Sequence, residues 1–328
     1  MERNIIELTL PERAKFAMDD IIIYSDTLFS AITNCYVKLY GDEKIEDFIN
    51  KIKVSSIFLG LEIVGEKIHL FPKPMIEPKL SEESDKDSRD NIKTWKKIKF
   101  LSKNLFEGLV NGNFKEKKID YKSWNGIAFT KDEYDKFINE SVKNMKIVET
   151  YSEAKNSLNR FNNQSEELFF KNILEFQVNG DIKPFLYFFI DNLNTEIRAS
   201  IRLLVDEGLG GDRSTGKGML SGMEEKKLLL GINCEKYFSF SLIFPKDMTE
   251  AKKAQSYKLV KRGGYVFFGK GTGWRKDRIR MFDIGAVFSE KVEGENRVSK
   301  IDINRDGNPV KIYHYGKAYM IGGSNAKL

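Results

Sequence analysis

Cysteine and histidine are scarce in this chain. Among 328 residues there are two Cys, Cys35 and Cys234, and two His, His69 and His314. Two distant cysteines build neither a disulfide framework nor a Cys-x-x-Cys metal knuckle. Two histidines argue against a His-rich metal site and an HD-type phosphohydrolase, and leave little for a two-histidine ribonuclease pair. No metal and no cofactor is expected. Long apolar runs are also missing. The longest, such as Phe185–Ile190 and Leu228–Leu230, are too short to span a bilayer, so no membrane partner is expected. The opening MERNIIELTL lacks a charged segment followed by an apolar one, the pattern of a secretory signal. The expectation is a reducing, cytoplasmic setting. Charge of one sign does not dominate: 54 Lys+Arg stand against 48 Asp+Glu, a net of +6. That total permits an acidic partner without requiring one.

What the chain does have is apolar mass. Hydrophobic residues are 41% and aromatics 12%, with 24 Phe and 13 Tyr. This is enough for a sizeable core and for two domains. Ile5–Leu10 alternates apolar and polar residues and reads as a strand. Ser25, Asp26 and Thr27 supply N-cap chemistry for a helix carrying Leu28, Phe29, Ile32, Tyr36, Val37 and Leu39, which should stop near Gly41. Val54–Val64 and Lys67–Phe71 read as a hairpin with Gly65-Glu66 at the turn. Residues 77–93 are polar and read as a loop. Trp95–Lys122 is Lys-rich and threaded with aromatics, and residues 131–165 are polar and charged. Glu167–Val178 and Lys183–Ile190 read as strands. Thr195–Val205 reads as a helix capped by Asn194 or Thr195 and ended by Gly208. A glycine loop, Gly208–Gly218, follows, then strands at Lys226–Gly231 and Tyr237–Phe244. The remainder is strand-rich. The order predicts an α+β fold, a β-α-β-β-α-β ferredoxin-like unit with a long insertion. A doubly wound sheet needs a regular strand–helix alternation that is absent.

Two segments carry the chemistry. Gly211–Lys217 fits the first seven positions of the phosphate-binding GxxxxGK[ST] loop, but the eighth is Gly218, where magnesium needs a hydroxyl. The loop also follows a helix instead of a strand, so ATP hydrolysis is not expected. Closely spaced glycines let backbone N–H groups converge on an anionic oxygen. Arg213 and Lys217 add charge, and Ser214 and Thr215 add hydroxyl donors. This suits a sugar–phosphate backbone, while a plain connector explains only Gly208. The second segment, 251–282, carries ten basic residues against one acid, Asp277. Tyr257, Tyr265, Phe267, Phe268, Trp274 and Phe282 lie among them. Cations neutralise phosphates while aromatic faces stack on unpaired bases. The plainer reading makes the aromatics core residues and the cations a solvated face.

The glycine loop resembles the signature of the RAMP superfamily, the RNA-binding subunits of CRISPR effector complexes. Further stretches are similar to one branch of it: Ser25–Ile32, Phe71–Pro74, Trp95–Leu101, Asn156–Arg160, Tyr257–Gly264, Phe282–Phe288 and Ile312–Ala318. Together they resemble the type III-A (Csm) subunit that holds the 5′ handle of the crRNA. The resemblance implies two ferredoxin-like (RRM-like) units. The first would span 1–232, with an insertion at about 72–180 that includes a thumb-like hairpin. The second, smaller and β-rich, would span 233–328. It implies a non-catalytic scaffold that grips the crRNA 5′ handle. It would also dock the large polymerase/cyclase-like subunit and a backbone RAMP subunit, and its thumb would distort the crRNA–target RNA duplex. The RNA-binding residues so implied are Ser25, Asp26, Thr27, Gly210, Gly211, Arg213, Ser214, Thr215, Gly216, Lys217, Gly218, Lys261 and Arg262, with Arg160 serving the thumb. Asn159 stands where relatives carry Asp. Ser25 or Asp26 as a plain N-cap is the competing reading. The alternative function is a metal-independent RAMP endoribonuclease of precursor crRNA with His314 as general base, against which stands a structural histidine.

Overall fold

The computed structural model describes residues 1–76, 93–112, 121–158, 161, 164–266, 274–301 and 310–323. The chain opens with β1 (Glu2–Thr9), β2 (Arg13–Ala17), α1 (Ser25–Tyr40), α2 (Ile45–Lys51), β3 (Lys53–Val54), β4 (Phe58–Ile63) and β5 (Glu66–Pro72). Then come β6 (Phe100–Ser102), α3 (Lys103–Val110), β7 (Lys122–Trp124), β8 (Ile127–Phe129), α4 (Lys131–Phe137), α5 (Glu140–Lys143), β9 (Val148–Leu158) and β10 (Ser165–Gln177). β11 (Ile182–Asp191), α6 (Thr195–Glu207) and β12 (Gly222–Leu229) complete the first part.

One large sheet organises this part, in the order β12-β1-β11-β4-β5-β6-β8-β7, with β3 on β11. β1 is antiparallel to both β11 and β12, and β4 is antiparallel to β11. Thus β4, which follows α1 and α2, pairs with β11, which precedes α6, although residues 64–181 separate them. The expected hairpin is present as β4–β5, one residue off: Val64 and Gly65 take the turn with φ 51° and 78°, a pair of left-handed conformations that suits a two-residue hairpin. It adds a strand outside β4. The second predicted helix, α6, behaves as its pattern predicts, whereas in α1 Leu28, Phe29, Ile32 and Tyr36 are buried but Val37 and Leu39 of the expected apolar face are exposed. The Asn194 side chain accepts from the Ile197 N–H at 2.8 Å, and Gly208 ends α6 with φ 80°. α1 and α6 lie side by side and bury Leu28, Ile32, Tyr36, Ile197, Ile201 and Leu204.

Side chains alternate across the strands. One face of the sheet presents Phe58, Phe71, Tyr187 and Phe189, of which Phe58, Phe71 and Phe189 meet Phe106 of α3 or Phe240 and Tyr319 from the last third of the chain. That third holds β13 (Tyr237–Ser239), α7 (Met248–Lys252), β14 (Ala254–Ser256), β15 (Leu259–Arg262), β16 (Tyr265–Val266), β17 (Trp274–Arg275), β18 (Ile279–Phe282), β19 (Val287–Phe288), β20 (Arg297–Ile301), β21 (Val310–His314) and β22 (Met320–Gly322). β14-β19-β13-β22 form a small sheet, and β15–β18, β16–β17 and β20–β21 are two-stranded. Its only helix among the described residues is the five-residue α7. The packing has no gap near residue 232. Phe238, Phe240, Val287, Tyr315, Tyr319 and Ile321 share one apolar cluster with β1, α1 and β11. Tyr315 stacks on Phe29 at 4.7 Å, and its hydroxyl accepts from the Val54 N–H at 2.8 Å.

β9 and β10 form a long antiparallel hairpin. Its strand pairing with the body is at its root, where Ile173–Gln177 pair with β2. There Ile173, Leu174 and Phe176 are buried, whereas Leu168, Phe169 and Phe170 beyond it are exposed. This hairpin covers the stretch expected to hold the thumb, including Asn156, but Arg160 and Asn159 lie outside the described residues. β9 also begins inside the segment read as merely polar. β2 has no counterpart in the sequence reading.

Candidate nucleic-acid interface

A cleft of about 1000 Å³ opens between β2, the start of α1 and the glycine loop, and Arg262 from β15 reaches into it. Its lining includes Tyr24, Thr27, Lys38, Gly210, Gly211 and Arg213. Three groups far apart in sequence, the helix start, the glycine loop and the base of the cationic ribbon, therefore meet at one surface.

The loop's shape requires its glycines at particular places. Gly218 has φ 73°, and a Cβ there would sit 1.9 Å from the Leu209 carbonyl oxygen. Its own N–H donates to the Lys15 carbonyl at 2.6 Å, and its carbonyl accepts from Leu209 N–H. Gly218 therefore clamps the loop's base, and its N–H is not free for phosphate, which corrects that expectation. Gly211 and Gly216 face open space, and Gly210 (φ 94°) has only Met18 near. These three leave room beside the backbone, although the Gly216 N–H donates to the Arg213 carbonyl at 3.0 Å and Gly211 bridges Ala17. Asp212 is left-handed at φ 57° and precedes a turn over Arg213–Thr215, where Thr215 Oγ1 donates to the Asp212 carbonyl. Ser214 and Thr215 are exposed.

The loop's cations are not bare. Lys217 is buried, 6% exposed at its side chain, and its Nζ meets Glu153 Oε2 of the hairpin at 2.6 Å. Lys155 meets the same carboxylate at 2.9 Å. Hydrogen bonds from Lys217 first and then Lys155 hold the Glu153 carboxyl down to about 2. Lys171 Nζ meets Asp212 Oδ1 at 2.6 Å, and Arg213 meets Glu207 at 3.4 Å beside Lys38. Lys217, expected as a charge for phosphate, is held by Glu153 in this structure. Nothing in the sequence pattern marks Glu153, Lys171 or Lys38 as its companions, because those contacts are long-range.

The helix start is also rearranged. The N-cap position is Tyr24, without a side-chain cap, and Ser25 is the first helical residue. Ser25 is fully buried. Its N–H donates to Ser56 Oγ, and its Oγ accepts from the Leu242 N–H at 3.0 Å. Its hydroxyl thus joins the two parts of the chain. Asp26 accepts from Thr27 N–H and takes both guanidinium arms of Arg262 at 2.9 Å each. The Arg262 guanidinium lies 4.5 Å above the Tyr24 ring, a cation–π arrangement. Burial, with Asp283 nearby, pushes the Tyr24 hydroxyl up to about 12. Arg262 is spent in part on Asp26, so the free positive charge of the ribbon lies farther out. Lys258, Lys261, Arg278 and Arg280 are exposed, and Lys261 and Arg280 are cross-strand partners. Tyr257 is 52% exposed and stands edge-on to buried Phe282 at 5.0 Å. The aromatics of the ribbon divide: Phe282 is core, Tyr257 is surface, and Phe267 and Phe268 lie outside the described residues.

His314 is 3% exposed and buried in β21, and burial depresses its basicity. It does not line the cleft. Among the described residues no group of three His, Cys, Asp or Glu could hold a metal ion, and no helix is long and apolar enough to cross a membrane.

Residues 233–322 match the family model for the CRISPR Csm4 C-terminal domain. The chain is 29% identical over 294 residues to a Csm4 protein of Methanocaldococcus jannaschii, covering 75% of this chain and 73% of that one. A chain of the Csm3–Csm4 subcomplex from a type III-A CRISPR–Cas interference complex superposes with a TM-score of 0.69 and 25% identity, covering 97% of this chain and 98% of that chain. A chain of a Csm1–Csm4 cassette crystallised with pppApA shares the fold, with a TM-score of 0.63, 16% identity and full coverage of both. The family model, the archaeal relative and the likeness over nearly the whole length agree with the ordered motifs of the sequence: residues 233–322 match the Csm4 C-terminal domain, and the chain as a whole is similar to Csm4 subunits of type III-A CRISPR complexes.

Proposed function

We propose that this chain is the scaffold that holds the crRNA 5′ handle in a type III-A antiviral effector, and that it performs no catalysis. The observation carrying the reading is the cleft, where Thr27, Gly210, Gly211, Arg213 and Arg262 converge beside a ribbon bearing Lys258, Lys261, Arg278 and Arg280. Open glycine backbone suits phosphate oxygens, and the outer cations suit a strand leaving the cleft. Relatives crystallised as Csm3–Csm4 and Csm1–Csm4 support docking of a backbone subunit and of the large polymerase/cyclase-like subunit. The strand order β12-β1-β11-β4 with α1 and α6 supports a ferredoxin-like first unit, with a smaller β-rich unit after residue 232. The β9–β10 hairpin is the thumb in this reading, its exposed Leu168, Phe169 and Phe170 facing the crRNA–target duplex. A cytoplasmic location follows from that role.

The test is anisotropy of a labelled repeat-derived 5′ handle RNA across a salt series. Arg213→Ala with Lys261→Ala weakens binding, and the slope of log affinity against log salt falls by about 0.7 for each phosphate no longer neutralised. An unchanged affinity and slope would remove the cleft from the assignment. Purification from the native host extends it: a common 5′ handle and the large subunit should accompany the chain.

A further inference from the structure

Glu153 and Lys171 face each other across the β9–β10 ladder as directly opposed residues. Opposite charges in that position ordinarily pair with one another. Here neither does. Glu153 reaches Lys217 of the glycine loop at 2.6 Å, and Lys171 reaches Asp212 of the same loop at 2.6 Å. The exchange pins the hairpin to the loop by two crossed ion pairs, just beyond the rung where β10 leaves β2. Four charges with two self-consistent pairings make a bistable element: loop to hairpin, or hairpin to itself.

We propose that Glu153, Lys171, Asp212 and Lys217 are positioning residues that set the hairpin's angle according to whether the glycine loop is occupied. The inference rests on the RNA reading of that loop. A phosphate arriving at the loop competes with Glu153 for Lys217. Glu153 then turns to Lys171 across its own ladder, and Asp212 loses Lys171. Both ties between loop and hairpin open together, so filling the loop frees the hairpin. Lys155, already on Glu153 at 2.9 Å, keeps that carboxylate ionised throughout. The empty loop holds its Lys217 neutralised, and binding must displace a carboxylate before a phosphate reaches the ammonium.

The test is backbone hydrogen exchange of the full chain, free and with a single-stranded 5′ handle RNA, read at residues 150–157 and 168–172. In the wild type, RNA accelerates exchange there roughly tenfold, the size expected when a local tie of two partly exposed ion pairs opens. Glu153→Gln exchanges fast already without RNA, changes no further on adding it, and binds the RNA several-fold more tightly. Normal RNA affinity with hairpin exchange unchanged in the wild type overturns the partner exchange while leaving the RNA reading intact. Weaker binding by Glu153→Gln, in a variant whose unfolding midpoint is retained, overturns it as well. Failure of the wild type to bind the RNA overturns both, and so distinguishes the two.

Discussion

Glu7 and Glu153 each hold more than one cation, on different terms. Glu7 stands in the middle of β1 and is 3% exposed. Lys67 and Lys226 reach it at 2.7 and 2.9 Å, and His69 Nε2 lies 2.9 Å away. All four residues belong to strands of one sheet, and β1, β5 and β12 cannot move apart without breaking its ladders. Burial alone would raise the Glu7 carboxyl, but the hydrogen bonds of His69, Lys67 and Lys226 outweigh it and hold it at about 2. Glu153 is a third exposed; Lys155 reaches it from its own strand, and its second partner, Lys217, sits on a separate loop. The first cluster closes a structure; the second joins two parts that each have somewhere else to go. A carboxylate surrounded by lysines is therefore not a functional signal by itself, and the mobility of the elements it joins decides what it does.

The largest effect should come from the rigid cluster. Glu7→Ala leaves two lysines and a histidine without their shared acceptor over an apolar sheet face, and should cost about 3 kcal/mol in urea unfolding. The pH dependence has a definite sign. The folded carboxyl is depressed from 4.5 to about 2, so its contribution is complete above about pH 4.5 and is lost as pH falls toward 2. Glu7→Gln should flatten that acid limb of the stability curve. A limb as steep as the wild type's would mean that other carboxylates carry it and that the contrast with Glu153 is false.

Next comes the packing beside Glu7. Gly60 pairs with both Phe185 and His69 across the sheet, and a Cβ on it would lie 2.2 Å from the Phe185 ring. That ring in turn lies 5.4 Å below the Lys67 ammonium. Gly60→Ala must displace Phe185, for about 2 kcal/mol. Hydrogen exchange should rise along β11 and leave the β9–β10 hairpin unaffected. A response in the hairpin would join the two regions that the comparison separates.

What the sequence made legible follows the same division. The local features came through: the α1 and α6 periodicities, the β4–β5 turn within one residue, the Asn194 cap, and the glycine loop as a distinct device. What failed was long-range. The pairing of β4 with β11 across residues 64–181 leaves no periodic trace. Ser25 reads as a cap because cap residues are short and hydroxylated, yet its hydroxyl serves Leu242. Lys217 reads as a free charge because its partner, Glu153, sits on a distant strand. The shape of the site was thus readable from the glycines, and its electrostatic state was not, because charge partners are chosen by tertiary structure.

The smallest effect is at Asp212, where backbone and charge can be separated. The residue is left-handed at φ 57° and holds Lys171. Asn tolerates that conformation nearly as well as Asp, while Ala does not. Asp212→Asn should therefore keep the turn and lose only a partly exposed ion pair, within about 0.5 kcal/mol of the wild type in unfolding. Asp212→Ala should cost roughly 1 kcal/mol more, from backbone strain alone. If Asn costs as much as Ala, the Lys171 pair contributes more than a partly exposed ion pair ordinarily does, and the loop is clamped to the hairpin, not poised against it. If Asn is neutral in stability yet speeds exchange at 168–172, the pair holds a position without holding up the fold, which is what separates the Glu153 side of the molecule from the Glu7 side.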